Sequence, residues 1–250
     1  MPRPVPVSRD DPGPTGGALK PSRLRARPIG APAGPRLEPG LRRLALGGKR
    51  DGLLYVPARA AEAAPAALIV NLHGAGSEGA AVVPPPVLAR ADEVGALVLA
   101  PDSRGRTWDV ALGGFGPDVA FLDAALEAVF AASAVDERRI VVAGFSDGAS
   151  YALSLALANG DLFSHAIAFS PGFMAPDDRV GWPAVFISHG TADPVLHIDS
   201  CSRALVPILE QAGYGVTYAE FEGGHEVPGT VLRAAFDWMT AAEPGSRSSS

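Results

Sequence analysis

Five apolar runs, at residues 67–72, 96–100, 140–143, 166–169 and 184–188, are too short for helices and almost free of polar alternation. Strands of this kind are buried on both faces, the condition of inner strands in a parallel sheet. Between them lie segments with helical apolar spacing: 87–94, 118–134 with Val119, Leu122, Leu126 and Val129 on one face, 149–159, 202–212 and 229–241. An antiparallel hairpin is expected at 41–46 and 52–56, around Gly47, Gly48 and Asp51, and a last strand at 216–221. Alternation of strand and helix after an antiparallel start predicts an open three-layer α/β sheet of roughly eight mostly parallel strands. Ligands in such sheets bind outside the carboxyl ends of the strands, so the chemistry is sought in those loops.

The two ends read differently from the middle. Ten of the 24 prolines fall in residues 1–39, with little apolar periodicity, so this segment is expected to be a disordered or loosely draped arm. Residues 40–242 then form the domain and 243–250 a frayed tail. The arm carries a net charge of +4, which leaves −10 on the remainder of a chain whose formal charge is −6. An acidic surface repels phosphate backbones, and no nucleic-acid partner is expected. Every apolar stretch is broken well before the ~18–20 residues of a membrane helix, so no transmembrane segment is expected. The amino terminus has no apolar signal core, which points to the cytoplasm. With Cys201 as the single cysteine, neither an intramolecular disulfide nor a cysteine-based zinc cluster can form. No metal or other cofactor is expected.

The run 140–143 leads directly into Gly144-Phe145-Ser146-Asp147-Gly148, and a helical segment follows. Glycines two residues either side of a serine permit a tight strand-to-helix turn that lifts the hydroxyl out of the sheet, at the positive end of a helix. A serine hydroxyl needs a general base to become a nucleophile. Of five histidines, His73 and His189 each end a strand as His-Gly and read as loop-shaping residues, and His165 opens a strand on the opposite edge of the sheet from the elbow. His197 could line a pocket. His225, in the loop between the last strand and the last helix, can reach over to Ser146 and is the expected base. Asp193, in the loop after the run 184–188, completes the chain order Ser, Asp, His as the orienting acid. Backbone donors for an oxyanion are expected from Asp147, directly after the serine, and from Ala75 in His73-Gly74-Ala75-Gly76-Ser77.

These motifs, together with Pro101-Asp102, His189-Gly190-Thr191-Ala192-Asp193-Pro194-Val195 and Gly224-His225, resemble a known family over about residues 41–241. The chain is similar to serine carboxylesterases of the α/β-hydrolase fold, close to the phospholipase/carboxylesterase (acyl-protein thioesterase-like) and polyhydroxybutyrate depolymerase or feruloyl esterase branch. The resemblance implies Ser146, Asp193 and His225 as a catalytic triad. Asp147 departs from the thioesterase-like members, which often carry Gln there, and the proline-rich arm is no part of the family core.

Only residues 171–182 separate two core strands at the point where larger lipases insert a cap, so no cap domain is expected. An open cleft suits small-molecule or polymer-borne esters. Trp108 is read as its floor, with Phe145, Phe173 and Leu196 as apolar walls. Arg104 and Arg106 are read as loop charges within reach of a substrate carboxylate. The expected activity is hydrolysis of carboxylic esters through an acyl-enzyme. Thioester, feruloyl ester or polyester hydrolysis, a serine peptidase, and a ligand-binding receptor that retains the fold are the alternatives. Oligomeric state is not encoded in any of these features.

Overall fold

The computed structural model describes residues 20–30, 37–62 and 65–241. In chain order the elements are β1 (Gly40–Arg43), β2 (Gly52–Val56), a short α1 (Ala58–Glu62), β3 (Ala66–Leu72), α2 (Pro85–Val94), β4 (Ala96–Pro101), α3 (Pro117–Ala132) and β5 (Val135–Phe145). They continue with α4 (Asp147–Ala158), β6 (His165–Phe169), β7 (Ala184–Gly190), α5 (Ser202–Gln211), β8 (Val216–Phe221) and α6 (Gly229–Ala241). The eight strands form one sheet in the order β1-β2-β4-β3-β5-β6-β7-β8. β2 runs antiparallel to β1 and β4, and all other neighbours are parallel.

The apolar runs behave as their sequence requires. All six residues of β4 and all five of β6 are buried, because helices cover both faces. One face carries α3, α4 and α5, whose Leu122, Leu126, Leu153 and Leu209 join a core with Leu68 and Val142. The other carries α2 and α6, whose Val87, Ala235 and Phe236 pack on Ile69, Val141 and Phe186. Each Val, Leu, Ile or Phe among them withdrawn from water contributes about 1.5–3 kcal/mol. Residues 170–183, between β6 and β7, hold no helix, and among the described residues there is no cap domain. Among the described residues no helix is long and apolar enough to cross a membrane.

Boundaries shift where side chains overrule periodicity. β1 stops at Arg43 because the Asp51 carboxylate accepts hydrogen bonds from the Ala45 and Leu46 N–H groups and draws the chain out of the ladder. β5 starts at Val135, ahead of the apolar run, because Ala66 pairs with Val135 and donates to the Ala134 carbonyl. Its polar stretch Asp136–Arg139 gave no apolar signal of strand.

The arm needs a correction. Residues 20–30 are not draped loosely: Ser22, Leu24 and Ala26 are buried. The Leu24 N–H donates to Asn159 Oδ1 at 2.8 Å, and Asn159 Nδ2 donates back to the Ser22 carbonyl at 2.9 Å. Asp123 Oδ1 accepts from the N–H groups of Arg25 and Ala26, and Arg23 and Arg27 both pair with Asp161. Arg23 also donates to the Ala158 carbonyl, which caps the last turn of α4. That helix is hydrophobic nearly all round, with every residue from Gly148 to Ala158 buried, and the arm supplies part of its cover. The remainder of the expected arm, residues 1–19 and 31–36, and the expected tail at 243–250 lie outside the described residues.

Asn159→Ala is expected to remove about 2–4 kcal/mol of stability, since it leaves the buried Leu24 N–H without an acceptor. Urea unfolding reads that loss, and faster proteolysis within residues 20–30 reports release of the arm.

Candidate active site

β5 ends and α4 begins on either side of Ser146, whose φ of +58° and ψ of −123° make the turn. The flanking glycines are dictated by contact. A Cβ on Gly144 would stand 2.3 Å from the Gly148 carbonyl oxygen, and one on Gly148 would stand 2.2 Å from that of Leu72. The Ser146 N–H is held by the Phe169 carbonyl at 2.9 Å, so the strained residue is pinned from the neighbouring strand.

The loop after β8 brings His225 to the serine, with Nε2 at 2.9 Å from Ser146 Oγ. Nδ1 of the same ring lies 2.6 Å from Asp193 Oδ2, in the loop after β7. Backbone contact sets this spacing: Thr191 N–H donates to the Phe221 carbonyl and Ala192 N–H to that of Gly223. Asp193 has no exposed side-chain surface. Burial works against its charged form, but the Leu196 N–H, the His225 imidazole and the Val195 N–H outweigh it and hold its carboxyl below the usual carboxylate range. The acid is therefore ionised at neutral pH.

The loop after β3 lies against Ser146: a Cβ on Gly74 would be 3.4 Å from Ser146 Cβ. His73 braces this loop. Its Nδ1–H donates to the Gly74 carbonyl at 2.8 Å, and its Nε2 accepts from the Ser103 N–H at 3.0 Å. Burial pushes the imidazole below the ordinary histidine value, in keeping with a neutral ring that must both donate and accept. Gly76 N–H is tied to the Arg106 carbonyl at 2.7 Å. The N–H groups of Ala75 and Asp147 have no acceptor among the described residues.

Other expectations divide. Trp108 does not floor the cleft: it is fully buried, stacks on Tyr151 at 5.0 Å between centroids, and donates its indole N–H to the His73 carbonyl. It supports the Ala75 loop from beneath, because a ring of that size follows the burial of its apolar area. Phe145 is half-buried with its ring 4.6 Å from that of His225, so it contacts that imidazole. Phe173 and Leu196 are half-buried on adjacent loops, and Leu196 packs over Gly172. Ser150, one turn beyond Ser146 on α4, moors that loop by accepting from the N–H groups of Gly172 and Phe173. Arg104 is structural, lying 3.5 Å over the Phe121 ring and donating to the carbonyls of Arg50 and Asp102. Arg106 is exposed, as is His197. His165 is buried at the amino end of β6, beside β5, so the length of the sheet, and not its width, separates it from Ser146.

The phospholipase/carboxylesterase family matches this chain over residues 119–242, the segment that holds Ser146, Asp193 and His225. Among solved structures, esterase PE8 superposes with a TM-score of 0.63 at 23% identity, over 77% of this chain and 99% of that one. A Bacillus cereus carboxylesterase gives 0.60 at 22% identity, over 78% and 95%. The chain has the α/β-hydrolase fold. The chain also aligns with the Aspergillus terreus protein named "Probable feruloyl esterase C", at 30% identity over 157 residues. That alignment covers 60% of this chain and 57% of the relative, so it spans little more than half the relative's length.

Three polar residues around this candidate site gave no local sequence signal. Thr107 donates to Asp147 Oδ2 at 2.6 Å, Ser103 fixes His73, and Ser202 lies 2.6 Å from His189 Nδ1. Each acts on a residue that lies far along the chain, and no short motif contains both partners.

Proposed function

We propose that this chain is a serine hydrolase that cleaves carboxylic esters through an acyl-enzyme. The observation that carries the reading is the unbroken hydrogen-bonded path from Ser146 Oγ through the His225 ring to Asp193 Oδ2, at 2.9 and 2.6 Å. Asp193, ionised and buried, accepts from Nδ1–H and so leaves Nε2 free to take the serine proton. Ser146 Oγ attacks the ester carbonyl, and its proton passes to Nε2. The imidazolium that forms is stabilised by the Asp193 charge. The N–H groups of Ala75 and Asp147, with the amino end of α4, receive the oxyanion. His225 then gives its proton to the departing alcohol, and a water molecule repeats the sequence to free the acid.

Half-buried Phe145, Phe173 and Leu196 suit a flat or short apolar acyl group, and among the described residues no cap restricts entry. Together with the relatives' names, this favours small aromatic or polymer-borne esters such as feruloyl esters. Stopped-flow hydrolysis of a p-nitrophenyl series from acetate to palmitate, beside methyl ferulate, tests the reading. The expected result is a burst of nitrophenolate equal to the enzyme concentration, followed by slower turnover, with preference for the short or aromatic acyl groups. Retention of these esters without turnover would favour a receptor built on the same fold and would overturn the proposal.

A further inference from the structure

Two imidazoles stand against Asp193 Oδ2, and the scheme above uses one of them. His225 Nδ1 is at 2.6 Å and His189 Nε2 at 3.3 Å. His189, near the end of β7, and Ser202, which opens α5, are both completely buried. His189 Nε2 lies 2.7 Å from the Leu196 carbonyl oxygen, and a carbonyl only accepts, so Nε2 carries a proton. In the neutral ring Nδ1 is then an acceptor, and the Ser202 hydroxyl donates to it at 2.6 Å. The Nε2–H donates to the Leu196 carbonyl, and Nε2 itself lies 3.3 Å from Asp193 Oδ2, so the positive edge of the ring faces the carboxylate. Leu196 closes the ring by donating its own N–H to Asp193 Oδ1 at 2.9 Å.

We propose that His189, its tautomer set by the Leu196 carbonyl and matched by Ser202, is a positioning residue that fixes Asp193 through Leu196 and offsets part of the Oδ2 charge that His225 would otherwise feel in full. This rests on the serine-hydrolase reading. An acid whose whole charge served His225 would make the imidazolium a poorer proton donor to the leaving alcohol, and the His189 ring edge facing Oδ2 counters that. The other ionisable groups around the cluster are Glu220 on β8, paired with Arg203 of α5, then Asp199, Cys201 and His197 before α5, Glu226 beside His225, and Asp147 on α4. Among the described residues none of them hydrogen-bonds to Asp193 or His189.

The experiment is kcat and kcat/KM for p-nitrophenyl acetate against pH, for wild type, His189→Leu, His189→Gln and Ser202→Ala, with thermal melting of each. His189→Leu is expected to lower kcat about tenfold and to move the acid limb of the kcat/KM profile about half a unit to higher pH. Ser202→Ala moves the limb the same way by less. His189→Gln, whose amide can place an N–H where Nε2 stood, returns both quantities toward wild type. If His189→Leu does not fold, Ser202→Ala and His189→Gln carry the comparison. An acid limb that stays in place, or moves to lower pH, in the folded variants overturns the proposal. A wild type without ester turnover would instead overturn the serine-hydrolase reading, which keeps the two failures apart.

Discussion

Ser146→Ala is expected to lower kcat for ester hydrolysis by about six orders of magnitude with little change in KM. The substitution removes Oγ and nothing else: the Cβ stays, the φ of +58° is no more strained for Ala than for Ser, and the N–H keeps its bond to Phe169. Melting temperature should therefore hold while activity disappears. Asp193→Asn is the graded companion. An amide presents its NH2 toward Nδ1 or breaks contact, which favours the tautomer with the proton on Nε2 and blocks acceptance from Ser146. About four orders of magnitude are expected in kcat. The two losses will not add, because both disable one proton path. Activity in Ser146→Ala within tenfold of wild type would remove Ser146 from the chemistry.

Gly148→Ala should be the most damaging change that touches no reacting group. On an ordinary helix this substitution gains about 1 kcal/mol. Here the added Cβ would meet the carbonyl oxygens of Leu72 at 2.2 Å and His73 at 2.5 Å, both backbone atoms on β3 or just after it. Relief requires α4 to part from the end of β3, which carries Gly74 and Ala75 away from Ser146. About 3 kcal/mol of destabilisation is expected, with loss of most activity in the protein that still folds. Chemical denaturation beside single-turnover kinetics separates the two effects. A stabilised Gly148→Ala would show that β3 and α4 do not approach as described.

The sheet was legible because burial on both faces writes itself into continuous runs such as 96–100 and 166–169. Ser146, Asp193 and His225 were legible for a related reason. The turn at Ser146 needs its glycines for contact, and Asp193 and His225 follow later strands in order. What escaped lies in contacts without local pattern. Residues 20–30 look like a proline-rich linker until Asn159, more than a hundred residues away, supplies both partners for Leu24 and Ser22. Trp108 reads equally well as a cleft wall or as core, and only the carbonyl of His73 decides it. The His189–Ser202 pair joins β7 to α5 through side chains alone. Such pairings are tertiary, and periodicity carries no trace of them.

The acyl-enzyme itself gives the most direct test. Wild-type protein mixed with p-nitrophenyl acetate, quenched in acid during the burst and digested, can be read by mass spectrometry. The account predicts an acetyl group on the peptide bearing Ser146, absent in Ser146→Ala and chased away on longer incubation. Turnover at full rate with no adduct, or with the acetyl group on another side chain, would contradict it.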